Sequence, residues 1–198
     1  MKLFLNHASP YARLARVLVI ETKFDGQTEL VYVDPWASSQ DMLAANPASK
    51  VPALTLDDGR CLIDSTCIAD YLTSRPGRGA LSPLSHPDAT VRLQILGLAR
   101  AAIECALGAV VQERFAANSP LTERWLRALP RIATALNTLY GERPEAGVCD
   151  LADLTVGVAF EYLDFRLPET GWRYSAPRLA ERVAAIARRD SFRSTQPR

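Results

Sequence analysis

The stretch Lys50-Val51-Pro52-Ala53-Leu54, running on to Leu62-Ile63-Asp64-Ser65, decides how the first third of the chain folds. Residues 51–56 form a short apolar run with the composition of a buried strand. Asp57-Asp58-Gly59 follows it as a hairpin turn signal. Cys61-Leu62-Ile63 then reads as a second short strand, and Asp64-Ser65 as the opening of a helix. Pro52 is the odd residue, because proline cannot donate to a sheet ladder and belongs at strand starts, edges or bulges. A cis Val51-Pro52 bond would turn the N–H and C=O of Val51 outward, free to pair with an extended peptide ligand. Only about 5–6% of X-Pro bonds in folded proteins are cis, so on this stretch alone a trans proline opening a strand is the simpler reading.

Upstream, 2–6 reads as a first strand and Ser9-Pro10 as a helix start, with serine as N-cap and proline in the first helical position. Leu14, Val17 and Leu18 supply that helix with an apolar stripe. Residues 29–33 alternate like a second strand, and Ser38-Ser39-Gln40-Asp41 resembles a capping box opening a short helix that ends near Asn46. After Ser65 a helix to about Ser74 puts Ile68, Tyr71 and Leu72 on one face. The predicted order is β-α-β-α-β-β-α. Pro76, Gly77, Gly79, Pro83 and Pro87 then mark a linker. Everything after it has helical periodicity. Residues 88–117 carry the stripe Ile95, Ala99, Ala102, Ile103, Ala106 and Val110, with Leu93, Leu98 and Leu107 off that line. Residues 121–140 follow, with a kink expected at Pro130. The run 150–163 is nearly free of charge between Leu154 and Phe160 and should be buried on most sides. A last helix covers about 177–189. The expected domains are 1–75, a linker over 76–87, and an all-helical 88–198.

Composition narrows the function classes. With 198 residues and 48% hydrophobic content there is material for a substantial core, and the formal net charge is only +1. The absence of a long basic run argues against nucleic acid as a partner. The apolar N-terminus is broken by Asn6 and His7, too short for a signal peptide, and no uninterrupted apolar run approaches the ~20 residues of a membrane span. Cys61, Cys67, Cys105 and Cys149 are scattered without a CxxC pair. Reduced thiols in a cytoplasmic protein fit this better than disulfides or a zinc site, so no metal is expected.

Asn46-Pro47-Ala48-Ser49-Lys50-Val51-Pro52-Ala53-Leu54 resembles the N-P-x-x-K-V-P-x-L segment of cytosolic glutathione S-transferases. Residues 62–72 resemble their following L-x-[ED]-S-x-x-I-x-x-Y-L segment. Asp150-Leu151-Ala152-Asp153 is similar to the family's helix-capping box, with Asp150 for the usual serine or threonine. The end of the chain resembles the family's closing P-x-L…R-P-S-F segment, with Asp190 for proline. The resemblance spans the whole chain. It implies a thioredoxin-like α/β domain that binds glutathione, with Pro52 cis, followed by an all-α domain on the electrophile-binding side. It also implies a homodimer pairing the first domain of one subunit with the first long helices of the other.

Ser9 is the first candidate for chemistry. Capping accounts for it alone, yet a hydroxyl at a helix N-terminus can also donate to a thiolate, which the helix dipole favours. The position resembles that of transferases in which Ser-Pro-[FY] opens the first helix, as in the tau class and a bacterial group similar to it, and the resemblance makes that thiolate glutathione's. Omega-class relatives carry cysteine there and form mixed disulfides, which serine cannot. At Asp64 and Ser65 the ordinary role is again capping, with Ser65 as the N-cap, while the amides there offer an anion site and Asp64 can pair with an ammonium group. The resemblance assigns the γ-glutamyl moiety to this place, the glutathione backbone to Val51, and the glycyl carboxylate to Lys50, otherwise a solvated loop lysine. The loop Asp34-Pro35-Trp36-Ala37 lacks the second basic residue common in relatives. Asp153, like Asp150, is assigned to capping rather than catalysis. Tyr11, Trp36, Arg100, Glu104 and Phe115 are candidates for lining an electrophile pocket. The activity implied is activation of the glutathione thiol for attack on a hydrophobic electrophile. Glutathione-dependent isomerisation, dehalogenation or peroxide reduction, and a non-catalytic binding module, remain open beside it.

Overall fold

The first strand forms where the short N-terminal apolar run predicts it. β1 (Lys2–Leu5) buries Leu3, Phe4 and Leu5. In this computed structural model residues 1–78, 81–117, 119–142 and 149–198 are described. α1 (Pro10–Glu21), β2 (Glu29–Tyr32), α2 (Gln40–Ala45), β3 (Ala53–Thr55), β4 (Cys61–Leu62) and α3 (Ser65–Thr73) follow in the predicted order. The sheet order is β2-β1-β3-β4, with β1 parallel to β2 and antiparallel to β3, and β3 antiparallel to β4. A parallel β1-β2 pair needs a crossover, and α1 supplies it. Phe4, Met42, Ala45 and Ala53 form one apolar cluster, with Val31, Val33 and Val51 packed against it.

Two helix starts differ from expectation. Ser39 alone caps α2, accepting from the Met42 amide at 3.3 Å, while Ser38 stands outside the helix at φ 47°. α3 is capped by Asp64 rather than Ser65. Asp64 holds an extended backbone and its Oδ1 accepts from the Thr66 amide at 2.7 Å, leaving Ser65 as the first helical residue. Aspartate and serine are near-equal caps, so the sequence could not choose between neighbours.

The second half is helical: α4 (Ala89–Glu113), α5 (Pro120–Glu142), α6 (Leu151–Arg166), the short α7 (Trp172–Ser175), α8 (Pro177–Ala187) and the short α9 (Asp190–Arg193). α5 and α6 pack along α4, whose buried residues include Ile95, Ala99, Ala102, Ile103 and Ala106. α5 continues through Pro130, whose carbonyl accepts from the Thr134 hydroxyl at 3.0 Å. α6 is buried almost throughout, from Leu151 to Phe160 without a break. Among the described helices α4 is the one long and apolar enough, by length and composition, to cross a bilayer, with Arg100 and Glu104 in its midst.

The chain divides into two units, Met1–Ser82 with Asp190–Arg198, and Pro83–Arg189. The tail is the difference from the expected 88–198 domain. Phe192, fully buried, and Thr195 sit with Arg13 of α1, so the last nine residues belong with α1 in the first unit. Within the expected linker, Gly79 and Ala80 lie outside the described residues.

Candidate active site

The strand register brings the separate sequence candidates of the first unit to one end of the sheet. Phe4 pairs with Ala53, so one step further along this antiparallel ladder Pro52 comes beside the end of β1. Leu54 pairs with Leu62, and two steps further Asp64 comes beside Pro52. Leu5 pairs with Tyr32, so β2 ends there too. The turn carrying Ser9, the start of β3, and the start of α3 therefore share the carboxyl end of β1.

Ser9 caps α1. Its Oγ accepts from the Ala12 amide at 3.2 Å, and its own amide donates to Asn6 Oδ1 at 2.8 Å. A serine hydroxyl that accepts in this way still carries its proton as a donor, so capping and donation to a ligand are compatible. Ser9 is half-buried and the first turn of α1 holds no acidic residue, which leaves the positive end of the helix without a carboxylate.

The Val51–Pro52 and Ile63–Asp64 peptide bonds are both cis. Pro52 is buried, Val51 half-buried and Lys50 exposed. A side chain that sequence reasoning passed over shapes this turn. Buried Asn46 donates from Nδ2 to the Lys50 carbonyl at 2.7 Å and accepts at Oδ1 from the Ala48 amide at 2.9 Å. Ser49, at φ 51°, donates to the Pro35 carbonyl at 2.7 Å, and Ser38 lies 3.0 Å from the Ser49 hydroxyl. The loop after β2 is thereby tied to the residue before Lys50. The Asn-Pro pair at 46–47 is a turn signal, and Asn46 is the one of these positions the sequence could have flagged. His7 stacks on Tyr32 at the same end, with ring centroids 4.3 Å apart. Trp36 is exposed, and Tyr11 half-buried.

Asp150 and Asp153 lie in the second unit and cap α6 reciprocally. Asp150 Oδ1 accepts from the amides of Ala152 at 2.9 Å and Asp153 at 3.1 Å, and the Asp150 amide donates to Asp153 Oδ2 at 3.4 Å. Arg92 donates to Asp150 at 2.6 Å, Arg182 to Asp153 at 2.7 Å, and the Tyr140 hydroxyl to Asp153 at 2.9 Å. Burial opposes the charge on Arg92, yet its bonds to Asp88 and Asp150 outweigh burial and hold its pKa above the ordinary value. With their oxygens engaged, these carboxylates hold the fold together. Among the described residues no group of three histidine, cysteine or acidic side chains could hold a metal ion.

A family model for the glutathione S-transferase N-terminal domain matches residues 3–80. A glutathione S-transferase from Methylobacillus flagellatus KT, solved with GSH (glutathione) bound, is 30% identical over 100% of this chain and 99% of its own, with a TM-score of 0.88. A glutathione transferase family member from Pseudomonas fluorescens Pf-5, solved with S-(propanoic acid)-glutathione, is also 30% identical and matches all of both chains, with a TM-score of 0.82. The uncharacterized GST-like protein YibF of Escherichia coli K12 is 28% identical over all of this chain and 98% of its own. The chain belongs to the glutathione S-transferase family, and its four-stranded thioredoxin-like unit followed by helices is that family's fold.

Proposed function

We propose that this protein is a glutathione transferase whose Ser9 hydroxyl stabilises the glutathione thiolate for attack on a hydrophobic electrophile. The observation that carries the reading is the convergence of Ser9, Val51–Pro52 and Asp64–Ser65 on one end of the sheet. The GSH and S-(propanoic acid)-glutathione bound to the two relatives support the choice of ligand. In this reading the backbone of Val51 pairs with the cysteinyl part of glutathione, and Lys50 faces the glycyl carboxylate. The amides opening α3 at Ser65 take the γ-glutamyl carboxylate and Asp64 its ammonium group. The thiol proton passes to solvent, and the sulfur is left with a lone pair stabilised by the Ser9 O–H and the positive end of α1. That pair forms the C–S bond, and the leaving group departs with the electrons of the bond it loses.

Conjugation of glutathione to a chloronitroaromatic tests this. A hydrogen bond to a charged group contributes about 1.5–3 kcal/mol, so Ser9→Ala should lower kcat/KM roughly 10- to 100-fold. A Ser9→Ala variant as active as an active wild type sinks the role of Ser9. No heat of glutathione binding at millimolar ligand sinks the transferase reading altogether and favours a binding module.

A further inference from the structure

The C-terminal segment does more in this fold than end the chain. Phe192 is completely buried, and the Arg13 guanidinium carbon sits 5.2 Å from the centre of its ring. Arg13 donates from Nη2 to the Phe192 carbonyl at 3.5 Å and from Nε to the Thr195 hydroxyl at 3.4 Å. These are long bonds, but they run from a side chain only 7% exposed. Thr195 gives its own proton to the Ser191 carbonyl at 2.6 Å, which leaves its lone pairs turned to Arg13. At the other end of α1, the Ser191 hydroxyl donates to Glu21 Oε1 at 2.5 Å. The tail thus grips α1 at residues 13 and 21, which are about 12 Å apart along a helix rising 1.5 Å per residue.

We propose that Asp190–Arg198 is a strap that sets the position of α1, and that Arg13 is the positioning residue through which it governs Ser9. Arg13 lies one turn beyond Ser9 on the same side of α1, and its amide bonds the Ser9 carbonyl at 3.0 Å. An apolar side chain would fill this buried place without the cost of taking a charge out of water. Apolar packing alone, however, tolerates small slides of a helix. A planar fork bonded to a carbonyl and a hydroxyl fixes direction as well as distance. The hydroxyl of Ser9 must meet a sulfur within hydrogen-bond reach, so a displacement of α1 by a fraction of an ångström weakens the stabilised thiolate before it unfolds anything.

The inference rests on the proposed role of Ser9, and the test separates the two. Ultraviolet thiolate absorbance of the glutathione complex, titrated with pH, gives the pKa of the bound thiol in the wild type, Arg13→Met, Arg13→Lys and Thr195→Val. Calorimetry gives glutathione affinity and thermal melting gives stability. The strap predicts that in Arg13→Met the bound-thiol pKa rises by about one unit, tenfold less thiolate at a given pH below it. Thr195→Val should move it in the same direction by less, and Arg13→Lys, which keeps the charge without the fork, should not restore it. Thr195→Val is nearly isosteric and serves if Arg13→Met does not fold. A lowered melting temperature with an unchanged bound-thiol pKa overturns the strap while leaving the Ser9 reading intact. A wild type that binds glutathione without lowering its thiol pKa overturns the Ser9 reading and the strap's role with it, as does a wild type that binds no glutathione.

Discussion

At the scale of the residue, Ser9 caps α1 and, in the proposed reading, also holds the glutathione thiolate. Removing its hydroxyl has a folding cost of about 1 kcal/mol as well as any catalytic cost, because the Ala12 amide loses its cap. Ser9→Gly, which costs a cap only a few tenths of a kcal/mol, separates the two, since both variants should lose the same catalytic factor. The cysteines offer a contrast. Cys61 and Cys67 are exposed, whereas burial, with Glu104 beside it, pushes the Cys105 thiol pKa up. A raised pKa leaves less thiolate at any pH below it, and the thiolate is what alkylates. Iodoacetamide at neutral pH should therefore mark Cys61 and Cys67 well before Cys105, whose rate should go on climbing into more alkaline solution. Peptide mapping by mass spectrometry reads this directly, and early labelling of Cys105 would contradict it.

At the scale of the element, two glycines on α4 separate propensity from packing. A Cβ on Gly97 would meet nothing within 4 Å, while one on Gly108 would lie 2.9–3.0 Å from ring atoms of Trp125 on α5. Replacing glycine by alanine inside a helix gains about 1 kcal/mol of propensity. Overpacking against a rigid indole costs about 1–3 kcal/mol, which equals or exceeds that gain. Measured on the single chain, free of any partner, Gly97→Ala should raise Tm by about 2–4 °C and Gly108→Ala should leave it unchanged or lower it. A stabilised Gly108→Ala would mean that Trp125 moves aside freely. The apolar stripe over 88–117 was legible because it repeats at helical spacing. The closeness of α5 at Gly108 was not, because nothing in the order of residues says which helix a glycine will face. The partners of Asp150 and Asp153 were hidden in the same way. Their capping pattern is local, but Arg92 and Arg182 stand 58 and 29 residues away in sequence.

At the scale of the whole molecule, we propose that two copies associate through the uncovered side of α4. Leu93 is 44% exposed, whereas Leu98 and Leu107, equally off the main stripe, are half-buried within the chain. Thr90, Leu93, Gln94, Gly97 and Ala101 follow one another at helical spacing on the side away from the buried residues. Small side chains there would let a partner helix approach closely, and a two-fold contact is the commonest closed arrangement of identical chains. Light scattering after gel filtration at micromolar concentration should show twice the 21.7 kDa of the chain. A mass that stays at the single-chain value as concentration rises would exclude a stable dimer, and Leu93→Glu should produce that state if the face is the right one.

By itself the sequence determined the order of the strands and of the helices other than the short α7 and α9, the cap at Ser9, the hairpin after Pro52 and the capping box at Asp150 and Asp153. All are short-range signals, written in spacings of two to four residues and in turn chemistry that needs no distant partner. It also carried family motifs long enough to imply the glutathione transferase fold. Tertiary structure alone decided which of Asp64 and Ser65 caps α3, that Ser49 ties the turn before Pro52 back to Pro35, and that the last nine residues return to α1. Each of those depends on groups brought together from distant or geometrically competing positions. Local propensity is nearly indifferent between the choices, and only the closed hydrogen bonds and the burial of side chains such as Phe192 select one of them.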